Sequence, residues 1–111
     1  MFKKDVVDVV LESIRLNFQE QGRPQLWIPS QRVLKKGGKT LDDTGRLKNS
    51  FKFKIEDSYV EIYTDVPYSI FNQEGTKFIP SRPFVMLQNG DVTKINNLMI
   101  EEILKLWKSM K

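Results

Sequence analysis

The chain has 111 residues, which fits one domain, and 40% of them are apolar and 29% charged, the balance of an ordinary globular protein. It has neither cysteine nor histidine, which excludes disulfides, thiolate nucleophiles, the common zinc sites and the usual general base. No apolar run approaches the roughly 20 residues of a membrane span, and acidic residues interrupt the N-terminal apolar positions, so we expect neither a membrane helix nor a signal peptide.

Residues 3–20 predict an amphipathic helix, because Val6, Val10, Ile14 and Phe18 recur at every fourth position and therefore share one face. Most of the charged residues of this segment fall on the opposite side. A glycine and a proline follow directly and end the helix.

Residues 22–46 predict a long irregular loop, because they hold four glycines and two prolines. Positive charge is concentrated here: between Arg23 and Lys54 there are nine lysines and arginines and two acids, while the whole chain has a net charge of +4. Within the loop, PSQRVLKK predicts one or two helical turns capped by Ser30, and KKGGK predicts a mobile tip. Loops of this length in compact domains are usually functional or disordered.

Residues 49–64 predict a β-hairpin. Apolar and charged residues alternate in SFKFKIE and again in YVEIYT. Asp57 and Ser58, residue types that favour turns, separate the two runs. The alternation places Phe51, Phe53 and Ile55 on the face toward the core and the lysines on the opposite face.

Three further elements complete the chain. PYSIFNQEG, residues 67–75, predicts a short helix that ends at Gly75, and PFVML, residues 83–87, predicts a further strand. Asp91 predicts the cap of a final helix from residue 92 to about residue 110. One apolar stripe runs along this helix and consists of Ile95, Leu98, Met99, Ile103, Leu106, Trp107 and Met110.

The order of these elements, with strands in the middle and helices on both sides, predicts one α+β domain over residues 1–111. We expect a small, mainly antiparallel β-sheet with the N- and C-terminal helices packed on one face. The long basic loop would lie between the first helix and the sheet.

The basic residues of the loop have two interpretations. They could contact a phosphate backbone or an acidic protein surface, or they could belong to a solvated flexible loop. KKGGK lacks the aromatic residues that stack on bases in single-strand binders, and the segment lacks the glycine spacing and preceding strand of a P-loop. The candidate contact residues for DNA or a partner are Arg32, Lys35, Lys36, Lys39, Arg46 and Lys48.

The residues that could carry chemistry do not form a recognised catalytic arrangement. Asp42 and Asp43 could bind the metal of a hydrolase, but two adjacent carboxylates without a third ligand are more typical of a cap or turn. Ser69 has no histidine anywhere in the chain to activate it. We therefore expect no catalytic, metal-binding or cofactor-binding site, and a protein that is not an enzyme.

FIPSRPFVML, residues 78–87, places Arg82 between two prolines and two apolar runs. Pro80 and Pro83 favour extended or turn backbone at the residues that precede them. The segment could be a proline-rich ligand for another domain, but its apolar flanks favour a structural corner. We predict that Arg82 stabilises this corner by hydrogen bonding to main-chain carbonyls or to the carboxylate of Glu74.

Four segments, RPQLWIPS, LDDTGRLKNSF, VEIYTDVPYSIFNQEG and IPSRPFVML, follow one another between positions 23 and 87. Their order resembles the bacteriophage virion morphogenesis family, the tail completion proteins similar to the G protein of phage Mu. The chain differs from the family pattern at Asn72, where histidine is usual, at Glu74, where an apolar residue is usual, and at Ser81, which replaces alanine. The matching positions are Trp27, Pro29, Leu41, Thr44, Gly45, Leu47, Ser50, Tyr68, Gln73, Gly75, Ile79, Pro80, Arg82, Pro83 and Phe84.

The resemblance implies a structural protein, not an enzyme, that acts at the neck or head-proximal end of the tail during assembly in the host bacterial cytoplasm and then stays in the virion. By analogy with related neck proteins it implies a homo-oligomeric ring whose partners are other neck and tail proteins. The basic loop would face DNA in the lumen or an acidic neighbouring ring. The resemblance implies no membrane, cofactor or small-molecule substrate. The alternative is a small nucleic-acid-binding domain that uses the basic segment 32–54.

Overall fold

The computed structural model describes residues 2–41, 45–77 and 80–110. The α+β prediction is confirmed: the N- and C-terminal helices pack against each other, and the first helix also contacts both strands of an antiparallel pair. The elements in chain order are α1 (Phe2–Gln19), α2 (Gln31–Lys36), β1 (Lys52–Ile55), β2 (Val60–Tyr63), α3 (Ser69–Glu74) and α4 (Asn89–Ser109).

Helix α1 supplies the largest share of the core. Its predicted stripe buries Ile14 and Phe18, but the same face also buries two polar residues, Ser13 and Asn17, which the apolar spacing did not predict. Just after the end of α1 the chain turns at Gly22, whose main-chain N–H donates to the main-chain oxygen of Asn17 at 2.8 Å and whose φ is 113°. Only glycine fits there, because a Cβ atom would lie 2.6 Å from the main-chain nitrogen of Trp27.

The predicted hairpin is confirmed. β1 and β2 pair with Phe53 opposite Ile62, and the Glu56 N–H closes the turn on the Tyr59 oxygen at 2.9 Å. Phe51 and Ile62 pack against the core. Phe53 does not reach it: its side chain is 42% exposed, and the Lys4 amine lies 4.8 Å from its ring centre.

The two short helices are confirmed at nearly their predicted bounds. α2 has Ser30 as its N-cap, with the hydroxyl accepting from the Val33 N–H at 3.3 Å. α3 ends at Gly75, which has φ 80° and donates its N–H to the Phe71 oxygen. α4 begins three residues before the prediction, because Gln88 is the N-cap and Asp91 lies inside the first turn as its capping-box partner.

The predicted strand at 83–87 is wrong. In the described part of the chain the sheet has two strands, β1 and β2, and residues 80–88 run as irregular chain. Pro80 and Pro83 lack the N–H that a sheet partner needs. Side chains from other segments bond to main-chain groups of residues 83–86 that a neighbouring strand would otherwise use.

α4 is the second long helix, and only its first half packs on α1. It begins beside Ser13 and runs antiparallel to α1, so that Ile95 and Met99 line a cavity of about 330 Å³ with Phe2 and Val6. Beyond this point α1 offers no further surface, because α4 begins beside Ser13, so that only residues 2–13 of α1 lie alongside the 21 residues of α4. The expected packing of the apolar stripe is therefore wrong for its C-terminal half, which is exposed.

The molecule is elongated, with extents of 64 × 25 × 24 Å. One end carries the long loop, α2 and α3, and the other carries the hairpin turn and the end of α4. Neither long helix of the described residues has a stretch apolar enough to cross a membrane. The core lies nearer the loop end and consists of Ile14, Phe18, Trp27, Leu47, Val66 and Phe84.

Candidate functional site

Residues 80–88 lie where the long loop, α3 and the C-terminal half of α1 meet. We use the name Arg82 corner for these residues together with the side chains of Asn17, Trp27 and Gln73 that hold them. The corner gathers motif positions that are far apart in the sequence, so its contacts show what those positions do.

Arg82 is 7% exposed and joins three segments. Its Nε donates to the Ile28 oxygen at 2.7 Å, which ties the corner to the long loop, and its main-chain N–H donates to the Asn72 oxygen of α3 at 2.7 Å. Burial lowers the pKa of the Arg82 guanidinium. The carbonyl contact predicted from the sequence is therefore present, whereas Glu74, the other predicted acceptor, is exposed at the end of α3.

Arg82→Lys is expected to lower the free energy of unfolding by about 1–2 kcal/mol, because an amine cannot reproduce the geometry of the buried Nε donor. Thermal or urea unfolding followed by circular dichroism measures this change. Arg15→Lys on the exposed side of α1 is the matched control, since its ion pair with Glu12 is a surface pair. Equal stability of the Arg82 and Arg15 variants would show that Arg82 does not hold the corner.

The Gln73 side chain makes the hydrogen bonds to residues 84 and 85 that a neighbouring strand would otherwise make. Its Oε1 accepts from the N–H groups of Phe84 and Val85, both at 3.0 Å, and its Nε2 donates to the Val85 oxygen at 2.9 Å. The main-chain oxygen of Gln73 also accepts from the Ser81 hydroxyl at 2.9 Å. Three backbone groups that would form a ladder are thus satisfied by one amide, which explains why residues 83–87 form no strand.

Asn17 and Trp27 fix the other side of the corner. The fully buried Asn17 donates its Nδ2 to the oxygens of Phe84 at 2.7 Å and Met86 at 3.2 Å, while its Oδ1 accepts from the Arg23 Nε at 2.7 Å. The Trp27 indole N–H donates to the Pro83 oxygen at 3.1 Å. The sequence signal for Asn17 is its place beside Phe18 and three residues after Ile14, on a face that is otherwise apolar.

Below the corner, a cluster of polar residues fastens α4 to α1. The Asp91 Oδ2 accepts from the Ser13 hydroxyl at 2.7 Å and the Gln88 N–H at 2.8 Å, and it lies 3.6 Å from the Arg23 Nη2. Burial disfavours the charged form of Asp91, but these hydrogen bonds and the Arg23 charge outweigh it and keep the pKa of Asp91 below its ordinary value. The carboxylate therefore stabilises the fold in its ionised state.

The pH dependence of stability should report this carboxylate. Because the pKa of Asp91 is lower in the folded chain than in the unfolded one, its contribution is present above about pH 4 and is lost as the pH falls through the folded pKa. Asp91→Asn is expected to lower the free energy of unfolding by about 2 kcal/mol at pH 7. It should also make the decline of that free energy below pH 4 less steep. Unfolding curves from pH 7 to pH 2 test this, with Asp57→Asn at the exposed hairpin turn as the control for the change of charge. A decline as steep in Asp91→Asn as in the parent would contradict it.

The remaining motif positions divide into those near the corner and those away from it. Phe18 contacts both Trp27 and Phe84, with ring centres 5.5 and 5.7 Å apart. Pro29 is exposed, and the Ser50 hydroxyl bonds to Thr64 at the base of the hairpin. Thr44 and Ile79 lie outside the described residues.

A cavity of about 300 Å³ lies beside the corner. The residues that line it are Ser30, Arg32, Leu41, Gly45, Arg46, Leu47, Tyr68, Asn72 and Arg82.

The six candidate basic residues are spread over three places. Arg32 and Arg46 line the cavity beside Arg82, where Arg32 also donates to the Lys39 oxygen at 2.5 Å and the Arg46 guanidinium lies 5.8 Å from the Tyr68 ring centre. A second cavity of about 290 Å³ is lined by Arg15, Gln19, Lys39, Lys48 and Asn49. The third place is the last turn of α2, which exposes Lys35 and Lys36.

Asp42 and Asp43, the carboxylates considered as metal ligands or caps, lie outside the described residues. Ser69 forms the first residue of α3, where its main-chain N–H donates to the Val66 oxygen. Comparison with protein-family models, curated proteins and solved structures finds no match to this chain.

Proposed function

We propose that the chain is a structural protein of bacteriophage virion assembly. It acts at the neck or head-proximal end of the tail, in tail completion or head–tail joining, as a ring-forming homo-oligomer. Its partners are further copies of itself and other neck and tail proteins. Within such a ring the basic loop contacts DNA in the lumen or an acidic neighbouring protein.

The observation that carries this proposal is the convergence of the motif positions on the Arg82 corner. Trp27, Gln73 and the consecutive residues 82–84 come from three separate parts of the sequence but share one packed unit, in which they serve as core residues and hydrogen-bond donors or acceptors. The contacts of these residues hold backbone segments in place. This supports a structural role more than a chemical one.

The elongated shape is consistent with assembly. A subunit that contributes to a larger object needs surfaces that its own core does not cover, and both ends of this molecule expose large apolar side chains. The corner holds the loop end in a defined conformation, so a neighbouring subunit would meet a preorganised surface.

Deletion of the gene in the phage or prophage that encodes the chain tests the proposal. We expect filled heads and unjoined or incomplete tails by electron microscopy, and joined particles again when the wild-type gene is supplied in trans. Arg82→Lys supplied in the same way tests the corner. Fully joined, infectious particles from the deletion would overturn the proposal.

The alternative function is nucleic-acid binding through residues 32–54. It is favoured by the exposure of Lys35 and Lys36 in the last turn of α2 and of Lys39 shortly after it. Replacing these three lysines with glutamine should then reduce the affinity for an oligonucleotide and the slope of its salt dependence.

The matched control for this test replaces three exposed lysines of α4, Lys94, Lys105 and Lys108, and so removes the same net charge from another place. Equal losses in both triple variants would mean that only the overall charge attracts nucleic acid. Absence of binding by the parent chain at low salt would remove this alternative.

A further inference from the structure

Three arginines line the cavity of about 300 Å³ beside the Arg82 corner, and none of the described residues around it is acidic. We use the name arginine cavity for this space. Its arginines come from three parts of the chain: Arg32 from α2, Arg46 from the end of the long loop and Arg82 from the corner. Three guanidinium groups around one small space favour an anion as its occupant.

Arg82 has hydrogen-bonding capacity that the described chain does not use. A guanidinium group carries five N–H donors, and the described bond of this side chain is a single one, from Nε to the Ile28 oxygen. The two terminal nitrogens bond to no described residue. Neither is sealed off, because the described chain has no buried side-chain nitrogen without a partner. Since the residue is only 7% exposed, these donors open to the cavity that Arg82 lines.

The charge of Arg82 also lacks a counter-ion among the described residues. Burial lowers the pKa of its guanidinium, and no carboxylate of the described chain acts in the opposite direction. A buried charge is unfavourable unless an opposite charge or several acceptors meet it. One carbonyl compensates a buried cation only in part, so a ligand that brings negative charge and several acceptor oxygens would bind favourably here.

The other two arginines are held in defined positions at the same cavity. The Arg46 guanidinium lies 5.8 Å from the Tyr68 ring centre, and Arg32 donates its Nη2 to the Lys39 oxygen at 2.5 Å. Both arginines have further contacts as well. The argument for a ligand therefore rests on the unused donors of Arg82, to which Arg32 and Arg46 add positive charge.

We infer that the arginine cavity binds a phosphate group, either free phosphate or the terminal phosphate of a nucleotide. Guanidinium groups bind phosphate oxygens through paired, charge-assisted hydrogen bonds. A terminal phosphate offers three acceptor oxygens and a charge of about −1.5 to −2 at pH 7. The Ser30 hydroxyl, which accepts from the Val33 N–H, can donate its own hydrogen to one of these oxygens.

The arrangement of the arginines indicates a single phosphate group. They surround one space instead of following a line, whereas a polynucleotide backbone presents its charges in a row. The inference goes beyond the proposed function, since the cavity is formed within one copy of the chain and needs neither a ring nor a partner protein.

The first test titrates the purified full chain with inorganic phosphate at low salt in a calorimeter. The parent should bind phosphate at one site per chain. Arg46→Gln should weaken this binding by about tenfold or more, because it removes a charged donor, and its exposed position should leave the fold intact. Arg82→Lys keeps the charge but loses the fork, so it should also weaken binding, with circular dichroism to verify that the variant is folded.

The matched control is Arg15→Gln. It removes the same charge from the surface of α1, where Arg15 lines the second cavity, of about 290 Å³, with two lysines. This variant should bind phosphate like the parent. Equal losses in the Arg15 and Arg46 variants would mean that net charge alone attracts phosphate, and a loss confined to the Arg15 variant would place phosphate in the second cavity. Either result would overturn the inference.

Titration with adenosine monophosphate and with adenosine distinguishes the two sources of the phosphate group. Tighter binding of the monophosphate than of inorganic phosphate, with no binding of adenosine, would identify a nucleotide as the ligand. Equal or weaker binding of the monophosphate would identify free phosphate. Binding of adenosine as tight as that of its monophosphate would contradict a phosphate site.

A further variant tests whether the chain fills the cavity with carboxylates of its own. Asp42 and Asp43 lie in the sequence between Leu41 and Gly45, which both line the cavity. If the parent bound no phosphate at low salt, the inference would be overturned, and binding by Asp42→Asn with Asp43→Asn alone would name the chain's own carboxylates as the occupant. The virion role is decided by the gene deletion, whose result does not depend on phosphate binding by the purified chain.

Discussion

Replacing the fully buried Asn17 with leucine is expected to lower the free energy of unfolding by about 3 kcal/mol. The side chains are similar in volume, so packing changes little. The loss comes from the hydrogen bonds: the oxygen of Phe84 and the Nε of Arg23 lose their partner inside the protein, and the oxygen of Met86 keeps only the donors of Ser13 and Gln88. For a domain whose total stability is about 5–15 kcal/mol, this is a large fraction.

Urea unfolding followed by far-ultraviolet circular dichroism measures this effect at a concentration where the chain is monomeric. Asn97→Leu, at an exposed position of α4, is the matched control and should change stability by less than about 0.5 kcal/mol. If both variants unfold at the same urea concentration, the polar network around Asn17 does not stabilise the corner.

Trp27→Ala is expected to have a still larger effect, a loss of about 3–5 kcal/mol, because it removes a large buried side chain and leaves a cavity next to Phe18. Trp27 is 7% exposed, its ring meets the Phe18 ring edge-on, and its indole N–H bonds to Pro83. We expect the long loop to detach from the core in this variant, which limited proteolysis should detect as cleavage between residues 23 and 41.

Two further variants separate the contributions of Trp27. Trp27→Phe keeps most of the ring contact but loses the indole N–H. It should lower the free energy of unfolding by about 1–2 kcal/mol, because the Pro83 oxygen is left without its hydrogen bond. Leu34→Ala, in the same loop but 67% exposed, is the control and should leave stability nearly unchanged. A Trp27→Ala variant as stable and as protease-resistant as Leu34→Ala would show that the tryptophan does not anchor the loop.

The elements predicted correctly are those whose information is local. Periods of about four and of two residues identified α1, α4 and the hairpin, and a serine and a glycine identified the ends of α2 and α3. The strand predicted at 83–87 is wrong because that prediction also used only local information. The residue types of this segment are typical of a strand, but the side-chain amide of Gln73, from another segment, bonds to its backbone. No local pattern in the corner reveals that partner.

The site was predictable in part. The position of Arg82 between two prolines correctly indicated a contact with a main-chain carbonyl, although the acceptor, Ile28, lies 54 residues away. Asn17 and Ser13 were missed because an apolar-face argument counts hydrophobic residues and treats a polar one as an interruption. A polar residue on such a face is itself a signal, since a buried amide must find partners. The exposure of the C-terminal half of α4 depends on where along α1 this helix begins, which no pattern within either helix indicates.

The hydrogen bonds of the Arg82 corner also have a kinetic consequence. They join residues that are 54, 56 and 67 positions apart, whereas the helices and the hairpin depend on contacts within short stretches. Closing such long intervals of chain is slow, so we expect the corner to form during the rate-limiting step of folding. Substitutions there should then slow folding as well as destabilise the folded chain. The corner would then limit how quickly the chain reaches its folded state.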